Sequence, residues 1–199
     1  MKKKLTLVVS LLLVLALSIG GTIAWLTDTE TVTNTFTMGN VDITLVETTG
    51  VDYKFVPGKE IEKDPKVTVV ADSEACYVYV EIKEEINFTK ETNYGFSDYF
   101  TYDIADGWEQ LKDKDGNDVT GVYYKTVDAE TAKAGTFWYV LKGSETYANG
   151  CVSVSDKVTK DMIDVLDMSK DKEPTLTITA YAIQSEGTGS AAEAWEKFE

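Results

Sequence analysis

From Thr27 to Thr37 every second residue is threonine: Thr27, Thr29, Thr31, Thr33, Thr35 and Thr37. A period of two is the period of a β-strand, and threonine's branched β-carbon favours extended backbone. In an extended chain the hydroxyls line one face, and Leu26, Val32, Phe36 and Met38 lie among polar residues on the other. A helix would scatter both sets around its surface. The segment therefore reads as a strand, and it begins almost where a very different segment ends.

That preceding segment is an export signal. Lys2, Lys3 and Lys4 precede an apolar run over residues 5–19, broken only by Thr6, Ser10 and Ser18. Gly20-Gly21 closes the run, and Thr22-Ile23-Ala24 sets small residues three before and one before a cut between Ala24 and Trp25. This is the layout of a cleavable signal peptide, expected as a helix over residues 1–24. This run of 15 residues falls short of the roughly 20 needed to span a bilayer, so an uncleaved anchor is the alternative. No later stretch reaches that length. No cysteine stands at the cut, and the C-terminus has no sortase-type motif or apolar tail, so release or non-covalent retention is expected. The predicted location is secreted, in an extracellular matrix or at the cell surface, with membrane contact only before cleavage.

Residues 25–199 carry 16 basic against 34 acidic side chains once the three leader lysines are gone. Such a surface repels phosphate backbones and anionic lipid, so nucleic acid is not an expected partner. The chain has no histidine, which removes His-containing zinc protease motifs, Ser-His-Asp triads and Cys-His dyads. No cofactor and no catalytic residue are expected. Two cysteines in an exported chain suggest one disulfide, Cys76 to Cys151, with two buried free thiols as the alternative.

Short alternating runs separated by turn signals predict an all-β fold, a sandwich of about ten strands in one domain over residues 25–199. Beyond the first strand, the runs fall at 41–45, 66–70, 76–82, 99–104, 108–111, 122–127, 136–141, 151–154 and 175–183. Helical signal is confined to one to three short pieces, at 128–134, 159–166 and 190–198.

Three features invite a chemical reading. Asp113-Lys-Asp-Gly-Asn-Asp118 suggests a calcium loop, but glycine is fourth and the twelfth residue is Tyr124, where the EF-hand needs glycine sixth and glutamate twelfth. A hairpin turn fits better. Tyr77, Tyr79, Tyr123, Tyr124 and Tyr139 suggest a glycan surface, yet aromatic residues within strands favour packing. Glu81, Glu84 and Glu85 suggest paired carboxylates, but acidic residues occur throughout the chain and no pair stands out.

The stretch Gly20-Gly-Thr-Ile-Ala-Trp-Leu-Thr-Asp-Thr-Glu-Thr-Val-Thr-Asn-Thr-Phe-Thr-Met-Gly-Asn-Val-Asp-Ile-Thr-Leu45 resembles the N-terminus of the TasA/camelysin family of Gram-positive exported proteins. The resemblance continues in residues 56–69, Cys76-Tyr-Val-Tyr-Val80, Leu176-Thr-Ile-Thr-Ala-Tyr-Ala-Ile-Gln184 and Ala191-Ala-Glu-Ala-Trp195, and it is weak over 84–172. It implies a jelly-roll β-sandwich, cleavage by a dedicated SipW-type signal peptidase, and a place in biofilm matrix fibres. It also implies that the freed segment, Trp25 to about Met38, acts as a donor strand completing the sheet of the next subunit. The candidate donor core is Thr31, Val32, Thr33, Asn34, Thr35, Phe36, Thr37 and Met38. The partners so implied are other copies, head to tail, the signal peptidase, and matrix or anchoring proteins. Pairing of this strand within its own domain is the alternative.

The family also implies a metallo-endopeptidase label through camelysin, in tension with the absence of histidine. The leading expectation is a structural protein that self-assembles into fibres. A metallo-endopeptidase, or a monomeric adhesin or carbohydrate-binding module, is the alternative.

Overall fold

The computed structural model describes residues 40–49, 54–169 and 171–198. They belong to the compact unit Gly39–Glu199. The strands are β1 (Ile43–Val46), β2 (Glu60–Glu62), β3 (Lys66–Val69), β4 (Cys76–Glu85), β5 (Phe100–Thr101), β6 (Glu109–Lys112), β7 (Asp118–Val127), β8 (Thr136–Tyr139), β9 (Cys151–Val154) and β10 (Thr175–Gln184). The helices are α1 (Phe96–Tyr99), α2 (Ala129–Ala134), α3 (Lys160–Val165) and α4 (Ala191–Trp195).

The ten strands form three antiparallel sheets, ordered β10-β4-β7-β6, β1-β3-β8 and β2-β9-β5. This is the expected all-β sandwich. Alternation explains how it closes. On β4, Cys76, Val78, Val80 and Ile82 point into the main core, where Val67 and Val69 of β3 and Val152 of β9 meet them from the facing sheets. The intervening Tyr77 and Tyr79 turn to the opposite face of the four-stranded sheet.

That opposite face is covered by the C-terminal helix. Tyr181, Tyr79, Tyr124 and Glu109 stand in register across all four strands. Trp195 of α4 lies over Tyr79 with ring centroids 5.1 Å apart. Ser190 and Glu193 form a reciprocal cap at the start of α4, satisfying amides the helix cannot pair itself. The Tyr79 hydroxyl, buried, donates to the Ala191 carbonyl at 2.8 Å.

The structure departs from expectation in three places. There are four short helices among the described residues, one more than the upper expectation. The extra one, α1, takes the start of the run read as a strand over 99–104. The Asp98 carboxylate accepts from the Gly95 amide at 2.7 Å and nucleates the turn. Tyr99 is then buried against Val158, Met162 and Leu166. The strand β2 was not expected, because three residues, two of them glutamates, show no readable alternation. The expected Cys76–Cys151 disulfide is replaced by two buried free thiols. Cys76 begins a strand of the four-stranded sheet and faces the main core, whereas Cys151 lies in the β2-β9-β5 sheet, its thiol turned to the Lys142 carbonyl at 3.8 Å.

Candidate assembly interface

The features bearing on association are the sheet edges. The β6 edge is guarded. It carries Glu109 and Lys112, its register with β7 breaks between Gln110 and Lys112, and the adjoining turn is tightly self-bonded. In that turn Asp113 accepts from the Asn117 side-chain amide at 3.0 Å and from the backbone amides of Asn117 and Asp115 at 2.8 and 2.9 Å. These bonds, the Asn117 side chain first, hold its carboxyl below the usual carboxylate range. The segment 113–118 is thus a hairpin turn, as expected, with the Asp113 carboxylate engaged by the amides and the Asn117 side chain of the turn itself rather than splayed for calcium.

Beside this edge Lys125 points between the sheets, its ammonium 5.2 Å from the Trp108 ring and 5.4 Å from the Trp138 ring. Burial pushes its pKa below the ordinary lysine value. Charged side chains turned inward, together with register breaks, are standard protection against edge-to-edge pairing.

The opposite edge is built differently. β10 is ten residues, Thr-Leu-Thr-Ile-Thr-Ala-Tyr-Ala-Ile-Gln, with no charge and no proline. It pairs with β4 on one side. Among the described residues no strand is hydrogen-bonded to the other. β1 runs alongside it but, among the described residues, pairs with β3 alone. The core-facing Leu176, Ile178, Ala180 and Ala182 are only partly buried, as are Val41 and Ile43.

The remaining candidates have structural employment. Glu81 accepts from the Tyr181 hydroxyl at 3.0 Å and pairs with Lys83, and Glu84 accepts from Tyr102 at 2.7 Å. These are separate contacts rather than a facing catalytic pair. Of the five strand tyrosines, Tyr79 is fully buried, and Tyr124 is tied to Glu109 at 3.0 Å. A recess of about 200 Å³ is lined by Glu60, Asp103, Lys142, Ser144 and Cys151. Its Ser144 hydroxyl donates to Glu60 at 2.8 Å and accepts from the amides of Thr146 and Tyr147, which is a turn cap.

Ala24, Trp25 and the donor residues 31–38 lie outside the described residues. Sequence reasoning did not single out the β10 edge, although Thr175, Thr177 and Thr179 repeat the alternation seen at the N-terminus. That repeat, in an uncharged run, was the available signal.

An all-β sandwich with one long uncharged edge is the class of molecule the geometry defines. The model of the camelysin metallo-endopeptidase family matches residues 1–146, and the chain belongs to that family. Comparison with curated proteins and with solved structures gave no match. Membership is compatible with a secreted or cell-surface protein. No described helix is long and apolar enough to cross a membrane.

The family's description implies a metal, and the residues present do not fit one. The chain lacks histidine, and among the described residues no three or more Cys, Asp or Glu gather as a ligand set. Cys76, fully buried, has its thiol pKa pushed up to about 11 by burial, which opposes the thiolate that metals bind. Carboxylates alone suit zinc poorly.

Proposed function

We propose that this chain is a secreted structural protein of the extracellular matrix or cell surface. Copies assemble head to tail into fibres, each giving residues 31–38 to a sheet edge of the next. The observation that carries this reading is the presence of a ten-residue strand, β10, with one edge unpaired among the described residues, in a chain whose N-terminal sequence alternates as a strand. Strand addition draws its affinity from main-chain hydrogen bonds and its selectivity from alternate side chains. A contact between two different surfaces of identical copies does not close on itself and yields a filament. Cleavage between Ala24 and Trp25 by a dedicated signal peptidase then both releases the protein and frees the strand. The ill-matched donor set favours this structural role over a metallo-endopeptidase.

Sedimentation velocity tests the reading on two forms, one beginning at Trp25 and one lacking residues 25–38. The first is expected to form large species with rising concentration and the second to stay monomeric. Equal behaviour of the two across pH and salt refutes it.

A further inference from the structure

Given that residues 31–38 are passed to another copy, the geometry points to β10 as the edge that receives them; this inference rests on that reading. The other edges are poor hosts. β1 and β8 are four residues long, β5 is two, β2 carries Glu60 and Glu62, and β6 is charged and out of register. β10 is long and uncharged, the kind of edge that sheets seldom leave bare.

The core beside it is also incomplete. On β4, Val78, Val80 and Ile82 are buried, while the β10 residues paired with them, Ala182, Ala180 and Ile178, are only partly buried, as is Leu176 further along. A strand laid along β10 covers this row, and the two alanines leave room for larger side chains next to them.

Residues 31–38, Thr-Val-Thr-Asn-Thr-Phe-Thr-Met, match that edge in three respects. Eight residues fit along ten. Both segments are uncharged in a chain of net charge −15, so they meet without the repulsion that acidic copies otherwise exert. Setting Thr35 beside Thr179 continues the threonine row Thr175, Thr177 and Thr179. It turns Val32, Phe36 and Met38 toward the core, whichever way the strand runs. Threonine pairs across strands are favourable. The occupant of the β10 edge is therefore residues 31–38 of a second copy.

Site-directed cross-linking tests this on the mature chain. Thr35→Cys protein is mixed under mild oxidant with Thr179→Cys protein or with Glu109→Cys protein, which marks the β6 edge. Mass spectrometry then identifies the mixed dimers. Local concentration at a paired edge predicts a yield from the Thr179→Cys mixture about tenfold above that from the Glu109→Cys mixture. Equal yields overturn the assignment. So does a Thr35–Thr179 link formed only within single chains of the doubly substituted protein. If Thr35 links to β6 while fibres still require residues 31–38, only the edge is wrong. If neither edge links and deletion of 31–38 leaves assembly unchanged, the donor reading itself fails.

Discussion

The carboxylate of Asp64 accepts from both the backbone amide and the hydroxyl of Thr48, the amide at 2.9 Å. It takes two more bonds, from the amide and hydroxyl of Thr49, each at 3.1 Å. Asp64 is 4 % exposed and so ties the chain leaving β1 to the segment between β2 and β3. Burial alone would raise its pKa, but the bonds from Thr48 and Thr49 outweigh burial and hold it below the usual value.

A carboxyl whose pKa is lowered on folding stabilises the fold above its unfolded pKa, about 4, and loses that contribution as pH falls through the folded pKa. Asp64→Asn places an amide group against amide donors and should cost about 2–3 kcal/mol at pH 7. The gap between variant and wild type in urea midpoint should shrink as pH drops below about 4. A gap independent of pH contradicts the account.

Tyr79 and Trp195 hold the C-terminal helix to the sheet. Tyr79→Phe strands the Ala191 carbonyl and should cost about 1–2 kcal/mol. Trp195→Ala empties the space over the tyrosine row and should cost about 3–5 kcal/mol. Because the rings touch, the double variant should lose less than the sum by about 1 kcal/mol, read from urea unfolding. Strict additivity would argue that α4 does not cover that face as described.

The two thiols should be silent in the native protein. Cys76 combines full burial with a raised pKa, and thiolate is the reactive form. Ellman's reagent at pH 8 should label neither cysteine before denaturant is added and both afterwards. Intact mass should not change on reduction. A mass gain of two hydrogens on reduction would restore the disulfide.

Two glycines should respond differently to alanine. Gly116, in the β6–β7 turn, has φ 86° but open space around it, so Gly116→Ala should cost only about 1 kcal/mol for the left-handed backbone. Gly121 has φ 72° and would in addition press a methyl onto the Ile82 carbonyl of β4. Gly121→Ala should therefore be clearly the more destabilising in thermal melts, and equal losses would count against the close approach of β7 to β4.

Much of the fold was legible because alternation is local. Residues 76–82 carry apolar residues on one side and tyrosines on the other, and the helices at 128–134, 159–166 and 190–198 are signalled by their caps Asp128, Thr159 and Ser190. What escaped depends on contacts far apart in the chain. Whether Cys76 and Cys151 meet is decided by which sheet each strand joins, and strand pairing across many residues leaves no local mark. The edge status of β10 is likewise a property of the sheet order. Its own residues look like any interior strand until β4 proves to be its one hydrogen-bonded strand partner among the described residues.

The central claim is head-to-tail growth through residues 31–38, and chain termination tests it most directly. Protein lacking residues 25–38 keeps the β10 edge but has no strand to give, so it can accept a neighbour and not extend one. Added in increasing amounts to mature protein beginning at Trp25, it should shorten fibres progressively, as measured by electron microscopy, while forming none by itself. Fibres of unchanged length at excess truncated protein, or fibres of the truncated protein alone, would contradict the account.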